Sequence, residues 1–176
     1  SGRSIEGYSM FEELVKCADL MTQFGGHPMA AGLSMEEKNV EEFRRRLNEN
    51  CTLTEEDLRP KVIIDVPMPV SYITRELIEQ ISLLEPFGKG NTKPIFAQKG
   101  LRVLSSRVLG KNRNVAKLQL SDSTGCVIEA VYFGEADEFI NEVKNSSSVA
   151  VTYYPEINRY QGRETLQIVI RNYLTE

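Results

Sequence analysis

Three glycines, two alanines and the only histidine of the chain lie within residues 24–32, which read Phe-Gly-Gly-His-Pro-Met-Ala-Ala-Gly. Glycine allows positive φ and lets another molecule approach the main chain closely. Successive bare N–H groups in such a segment can form a concave nest for an anion, and an imidazole can donate a hydrogen bond to a phosphate oxygen. The stretch therefore indicates an anion-binding site with Gly25, Gly26 and His27 as its candidate residues.

A purely structural interpretation of the same glycines stays open. Residues 10–23 show apolar side chains at helical spacing, and Ser9 with Glu12 fits a capping box at their start. We therefore predict a helix over 10–23. Because glycine is the usual residue just past a helix end, Gly25 could simply end this helix and His27 could be an ordinary loop residue.

A second candidate is a basic stripe within residues 93–117, which hold seven Lys or Arg and no acidic residue. The whole chain has a formal net charge of −4, but phosphate contacts are short-ranged at physiological salt, so a local stripe matters more than the total. A solvated hairpin face is the alternative. The predicted contacts to a nucleic-acid backbone are Arg107, Lys111, Arg113 and Lys117.

The secondary structure predicted to position these residues differs between the first and the second part of the chain. The first part is predicted to contain the helix over 10–23, a strand over 30–35 and a helix over 40–49 with Asn39 as N-cap. Apolar alternation at 61–66 predicts a strand, and a helix begins at Thr74.

From residue 95 onward the pattern is mostly that of strands. We predict strands over 95–109, 116–120 and 127–133, a helix over 135–143, and strands over 149–154 and 166–170. Three strands, a helix and two strands is the order of the OB-fold, a five-stranded Greek-key barrel.

Composition sets the outer bounds. The chain has 176 residues, of which 41% are hydrophobic and 26% charged, as in ordinary globular proteins of one large or two small domains. No apolar run is long enough for a membrane span, and no signal-peptide pattern opens the chain, so we expect no membrane partner. Three widely spaced cysteines predict a reducing, cytoplasmic location and no structural zinc site.

The pattern Gly-Gly-His-x-x-Ala-Ala-Gly at residues 25–32 resembles the signature of the DHH-associated domain of the DHH phosphoesterase superfamily. Residues 1–7, Ser-Gly-Arg-Ser-Ile-Glu-Gly, resemble another part of that domain in the RecJ family of bacterial single-stranded-DNA-specific exonucleases. The resemblance implies that Arg3, Ser4 and the Gly-Gly-His segment contact the nucleic-acid backbone together.

Two later motifs resemble the same family. Residues 85–91, Glu-Pro-Phe-Gly-Lys-Gly-Asn, resemble the turn before its OB domain, for which a rigid connection is the alternative role. Residues 158–163 resemble its late hairpin, where the family commonly has Trp and this chain has Tyr160. This likeness adds Arg159, Tyr160 and Arg163 to the candidate contacts. The candidate stacking rings, about half of which alternation places in the core, are Tyr132, Phe133, Tyr153, Tyr154 and Tyr160.

The expected fold class is α+β. A small α/β DHH-associated domain over residues 1–60, incomplete at its N-terminus, is followed by a connecting strand and helix over 61–93 and an OB-like five-stranded β-barrel over 94–176. By resemblance, hydrolysis in this superfamily uses Mn²⁺ or Mg²⁺ held by clustered Asp and His residues. This chain has one His and five separated Asp and does not begin with Met. We therefore expect a fragment with no catalytic residue and no metal site, the metal lying in a domain outside it.

The resulting hypothesis is the substrate-binding portion of a 5′→3′ single-stranded-DNA exonuclease in DNA repair and recombination. Its expected partners are single-stranded DNA and other DNA-repair proteins. The alternatives are a non-catalytic nucleic-acid- or protein-binding module, a DHH phosphoesterase acting on short oligonucleotides or cyclic dinucleotides, and an alanyl-tRNA-synthetase-type appendage. Residues 94–176 argue against the last two, which usually lack a C-terminal barrel.

Overall fold

A three-stranded antiparallel sheet organises the first of two units, Ser1–Lys61, in a computed structural model that describes residues 1–176. Its strands, in the spatial order β1-β3-β2, and its two α-helices are β1 (Gly2–Arg3), α1 (Met10–Val15), β2 (Met21–His27), β3 (Ala30–Met35) and α2 (Val40–Asn50).

One face of this sheet packs against α1. Phe24 on β2 lies with its ring centroid 6.1 Å from that of Phe11 on the helix. Leu14 and Cys17 are 3% and 0% exposed, and Ala31 on β3 is buried beside them in the small core of this unit. Burial of these side chains on one face leaves the opposite face of β2 and β3 open.

The predicted helix over 10–23 is wrong beyond Val15. Ser9 does cap α1, since its hydroxyl accepts a hydrogen bond from the Glu12 N–H at 3.4 Å. A 3₁₀ turn at Ala18–Leu20 then leads into β2, so Gly25, Gly26 and His27 lie in a strand and Gly25 is no helix cap. Pairing along β3 satisfies the backbone of β2, and this tertiary gain overrides the helical spacing of the side chains.

The strand over 30–35 and the helix over 40–49 are confirmed as β3 and α2. Asn39 precedes α2, but its side chain does not cap the helix and instead donates from Nδ2 to the Leu20 carbonyl at 3.0 Å. The three arginines of α2 form ion pairs with acids of this unit: Arg44 with Glu41, Arg45 with Glu42 and Glu49, and Arg46 with Glu42 and Asp19.

The second unit, Val62–Glu176, is built on a larger sheet. Its elements are β4 (Val66–Pro67), α3 (Arg75–Ser82), β5 (Phe96–Leu109), β6 (Val115–Ser121), β7 (Val127–Phe133), α4 (Ala136–Lys144), β8 (Val149–Tyr160) and β9 (Arg163–Thr175). The sheet order is β4-β5-β6-β7-β9-β8, with β7 and β9 parallel, and β5 also pairs with β8. The predicted order of three strands, a helix and two strands is thus confirmed, and so is the α+β class with an OB-like sheet.

Alternation along these strands builds the core. Leu118 and Leu120 of β6, Ile168 of β9 and Phe139 of α4 are each at most 1% exposed. Tyr153 of β8 is fully buried, and its hydroxyl donates to the Met68 carbonyl at 2.6 Å. Burial also raises the pKa of this phenol.

Two predicted strands differ from the structure in length. Residues 61–65 form no strand, because only Val66 and Pro67 find a partner on β5, and Val62 and Ile64 are 45% and 44% exposed. The last two strands are longer than 149–154 and 166–170. Gln161 and Gly162, at φ of 49° and 74°, join them in a tight hairpin that continues beyond the core.

No helix of the structure is long and apolar enough to cross a membrane.

Gly26 is the glycine that the hairpin of β2 and β3 requires. It has φ of 152°, and a Cβ atom there would lie 2.3 Å from the Ala30 carbonyl oxygen and 2.6 Å from the Ala31 Cα. We expect Gly26→Ala to lower the free energy of unfolding by about 2 kcal/mol or more, measured by chemical denaturation, because the clash involves backbone.

Gly25 provides the matched control, since a Cβ atom there would meet nothing within 4 Å. Gly25→Ala should change stability by no more than about 0.5 kcal/mol. Equal losses for the two variants would contradict this account of the hairpin.

Candidate functional site

Strand register places Arg3 and His27 in one row of the first sheet. Ala30 of β3 pairs with Arg3 of β1 on one side and with His27 of β2 on the other. Directly paired residues project from the same face of a sheet, and neighbouring strands lie about 4.8 Å apart. The two exposed side chains therefore stand on the open face, with their backbones about 10 Å apart.

The next row on the same face carries no side chains. Gly25 pairs with Gly32, and a Cβ atom at either position would meet nothing within 4 Å. This bare backbone is the floor of a shallow depression of about 220 Å³ that Gln23 and Ser34 also line. A flat or extended ligand could thus lie directly on the main chain beside His27.

Hydrogen bonds fix the two ends of this row. Ser4 and Met10 donate from their backbone N–H groups to the Met29 and Pro28 carbonyls at 2.9 Å, which ties the N-terminal segment to the tip of the hairpin. The Ser4 hydroxyl donates to the Tyr8 carbonyl at 2.5 Å, so its proton is already used. His27 Nδ1 accepts from the Met29 N–H at 3.4 Å, and the ring's Nε2 makes no hydrogen bond, which leaves it free to donate to a ligand.

In the second unit, register lines up an outer row across five strands. The pairs Arg107–Lys117, Lys117–Val131, Val131–Val169 and Val169–Tyr154 place all five side chains on the face opposite the core, although Val131 and Val169 are themselves buried. The adjacent row is entirely polar and consists of Ser105, Gln119, Glu129, Gln167 and Glu156. Oligonucleotides bind OB-folds on the face of the second and third strands and at two hairpin loops, which here are β6, β7 and the turns at 110–114 and 161–162.

Acidic residues from other elements neutralise two of the four predicted stripe cations. Lys117 Nζ lies 2.8 Å from Glu129 Oε2 on β7. Arg113 makes two hydrogen bonds to Asp137 on α4, at 2.7 and 2.5 Å, and these hold the pKa of that carboxyl below its ordinary value. Arg107 and Lys111 are exposed and form no ion pair. The stripe is therefore only partly available to an anion.

The hairpin between β8 and β9 separates its three predicted contacts onto two faces. Tyr160 pairs with Arg163, and both share the outer face with Arg107 because they alternate in step with Tyr154 and Val169. Arg159 projects from the opposite face, where its Nε donates to Glu164 at 2.8 Å. The structure thus brings Tyr160 and Arg163 to the face of the stripe and leaves Arg159 in an ion pair.

Exposure distinguishes the candidate aromatic rings. Tyr153 is in the core, and the ring of Tyr132 packs 4.3 Å from that of Phe139 between centroids. Tyr154 is half-buried with a lysine over its ring, whereas Phe133 and Tyr160 are 61% and 67% exposed. Only the last two present a ring that a base could stack against without rearrangement.

Three residues of this surface were not among the predicted contacts. Glu129 and Asp137 lie outside the stripe in sequence, and only the strand pairing and the position of α4 bring them to it. Lys93 belongs to the stripe, but nothing in the sequence shows that it lies over an aromatic ring. The run of seven cations in the sequence therefore predicts where a basic patch lies, but it does not predict the net charge of that patch.

The side chains present do not fit a catalytic metal centre. No group of three or more His, Cys, Asp or Glu residues is placed to hold a metal ion. A metal used by a larger protein containing this chain would need ligands from residues outside it.

Curated proteins similar in sequence to this chain are bacterial exonucleases. The chain is 33% identical over 174 residues to the single-stranded-DNA-specific exonuclease RecJ of Bacillus subtilis, covering 98% of this chain and 22% of that protein. It is 31% identical over 178 residues to the RecJ of Escherichia coli, covering 98% of this chain and 30% of that protein. The chain therefore spans less than a third of the length of these relatives.

The fold is also similar to that of a solved structure. The crystal structure of RecJ from Thermus thermophilus in complex with Mg²⁺ superposes with a TM-score of 0.75 at 22% identity, covering 99% of this chain and 26% of that one. Residues 1–52 match the DHHA1 domain family, and residues 64–172 match the family described as the RecJ OB domain. Because this second match covers most of the chain, the resemblance is confirmed and the chain belongs to the RecJ family.

Proposed function

We propose that this chain is the substrate-binding portion of a 5′→3′ single-stranded-DNA exonuclease of the RecJ type, acting in DNA repair and recombination. In this proposal the metal-bearing catalytic domain, with Mg²⁺ or Mn²⁺, belongs to a part of the enzyme outside the chain. The enzyme works in the cytoplasm on single-stranded DNA, with other repair proteins as further partners.

The observation that supports this proposal most is the outer face of β6 and β7. Its side chains are mostly polar around the buried Val131, and beside it Arg107 of β5 keeps an uncommitted guanidinium and Lys111 an uncommitted ammonium on the adjoining turn. Proteins that bind single strands combine a cationic groove with exposed rings, and Phe133, Tyr160 and Arg163 supply these features on the same face. Phosphate contacts of this kind carry no sequence information, as a nuclease for any sequence requires.

The row in the first unit supports a second contact. A phosphate above Ala30 would be within reach of the Arg3 guanidinium and the His27 Nε2–H, while the glycine floor lets the strand approach the backbone. Preorganised donors of this kind stabilise charge that develops on a phosphate oxygen in the transition state. Ser4 then acts through the hairpin tip and not as a phosphate donor, because its hydroxyl proton is engaged.

The 176-residue chain alone should bind a labelled single-stranded oligonucleotide weakly and in a salt-dependent manner, without releasing nucleotides in Mg²⁺ or Mn²⁺. The reason is that the chain offers cations but no metal-ligand cluster. Binding by fluorescence anisotropy and product analysis by electrophoresis measure the two properties. Metal-dependent hydrolysis by a nuclease-free preparation, or no binding at low salt, would contradict the proposal.

Charge substitutions in the second unit test which cations contact phosphate. Arg107→Ala should make the slope of log K against log salt shallower by about 0.7, the share of one phosphate contact. Asp137→Asn should make it steeper by up to about 0.7 and strengthen binding, because Arg113 then loses its carboxylate partner.

Glu138→Gln is the matched control for this pair. Glu138 is an exposed acid next to Asp137 on α4 and forms no ion pair, so the substitution makes the same charge change without releasing a cation. If it strengthens binding as much as Asp137→Asn, the effect is one of net charge and Arg113 is no phosphate contact.

In an exonuclease that contains this chain, His27→Ala should reduce turnover by about 10²–10³, the usual loss for one preorganised donor to a developing oxyanion. The free energy of unfolding should stay within about 0.5 kcal/mol of wild type, because His27 is exposed and makes only a 3.4 Å contact with the Met29 backbone nitrogen. Unchanged turnover at an unchanged melting temperature would remove His27 from the site.

A further inference from the structure

Lys93 is held over an aromatic ring of the second unit. Its Nζ atom lies 3.8 Å from the centroid of the Tyr154 ring on β8 and 5.9 Å from that of Phe87. An ammonium within about 6 Å of a ring face is attracted by the quadrupole of the ring. This attraction orients the lysine without a carboxylate.

The N–H donors of Lys93 are therefore not committed to an acid. Lys93 takes part in none of the ion pairs of this chain, whereas Lys117 and Arg113 do. Three acids, Glu79, Glu85 and Glu156, line the same depression of about 280 Å³, but none of them lies within 4.0 Å of the ammonium. Glu156 instead accepts a hydrogen bond from Gln167 at 2.6 Å. Three strong donors thus remain available to an incoming anion.

The contact with Tyr154 places this lysine at the β8 end of the outer row. Tyr154 is the last residue of the outer row that begins at Arg107 on β5 and runs through Lys117. Five strands at about 4.8 Å spacing give a path about 19 Å long along the curved sheet, whose first and last strands of this row, β5 and β8, also pair with each other. An uncommitted cation therefore stands at each end, with Val131 and Val169 between them.

The Glu-Pro-Phe-Gly-Lys-Gly-Asn turn supplies the other half of this arrangement. Asn91 donates from Nδ2 to the Leu84 and Pro86 carbonyls at 2.8 and 3.0 Å, and the Gly88 N–H donates to the Asn91 carbonyl at 2.8 Å. These bonds hold Phe87 and the start of the segment that carries Lys93. The motif thus fixes Phe87, whose ring centroid lies 5.9 Å from the Lys93 ammonium.

We propose that Lys93 contacts a backbone phosphate of single-stranded nucleic acid at the β8 end of the outer row, and that Tyr154 is the positioning residue that holds it there. The inference rests on the proposed function and adds a contact to it. A lysine that is already ordered loses less side-chain entropy on binding than a free one. Tyr154 is correspondingly not a stacking platform, because the ammonium covers its ring.

Four variants of the 176-residue chain test the pair, with a labelled oligothymidylate titrated at several salt concentrations. Lys93→Ala should make the salt slope shallower by about 0.7. Tyr154→Leu should weaken binding about two- to fivefold, the equivalent of an exposed cation–π contact, because the charge remains but is no longer oriented. Tyr154→Phe should bind as wild type, since it keeps the ring and the Tyr154 hydroxyl makes no hydrogen bond. Lys144→Ala, at an exposed and unpaired lysine of α4, should leave the slope unchanged.

Each outcome supports or overturns the inference. A slope for Lys93→Ala equal to that of wild type, with the wild type binding, overturns the phosphate contact while the proposed function stands. If Lys93→Ala and Lys144→Ala make the salt slope shallower by the same amount, the effect is one of net charge, and the inference is also overturned. No salt-dependent binding by the folded wild type overturns both proposals. If Tyr154→Leu does not fold, as thermal melting would show, the Lys93→Ala slope and the Tyr154→Phe affinity still decide the inference.

Discussion

The register between neighbouring strands fixes which side chains share a face, and the candidate surfaces of both units depend on it. In the first sheet, the pairing of Ala30 with both Arg3 and His27 puts the two polar side chains in one row. In the second, the pairing of Lys117 with Arg107 and Val131 determines the outer row. A slip of one residue would turn each cation toward a buried layer, and the buried apolar residues on the opposite face oppose such a slip. The core therefore specifies the position of the surface cations.

The outer face of the second unit carries acids that reduce its positive charge. Glu129 and Asp137 neutralise two cations at 2.8 and 2.5 Å, so an incoming phosphate must compete with a carboxylate that is already in place. The exposed pair of Arg113 and Asp137 contributes little to stability, and its main effect is on the local charge. If the face binds a strand as proposed, only its few uncommitted cations contribute to the salt dependence of that binding.

Sequence patterns predicted most of the second unit because its strands alternate against a single core. The buried positions of β6, Ala116, Leu118 and Leu120, are spaced by two residues, and the polar turns on either side bound the strand. The first unit was predicted less well. Residues 16–23 have helical spacing, yet pairing with β3 makes most of them part of a turn and a strand, a choice that only tertiary contacts decide. The same reason explains the absent strand at 61–65, where apolar alternation meets no partner edge.

For the candidate site too, the sequence shows the types of the residues but not the environment of each side chain. The sequence identified His27 and the cationic run because residue type and local spacing are visible in it. It could not identify which cations keep their charge, because Asp137 reaches Arg113 from another element, 24 residues away, nor that Tyr154 holds a lysine. The effective charge of the stripe is therefore not the sum of its cations, because the fold pairs some of them with acids that neutralise them. For a surface that binds by backbone contacts, the number of uncommitted cations sets the salt dependence more directly than the number of basic residues in the sequence.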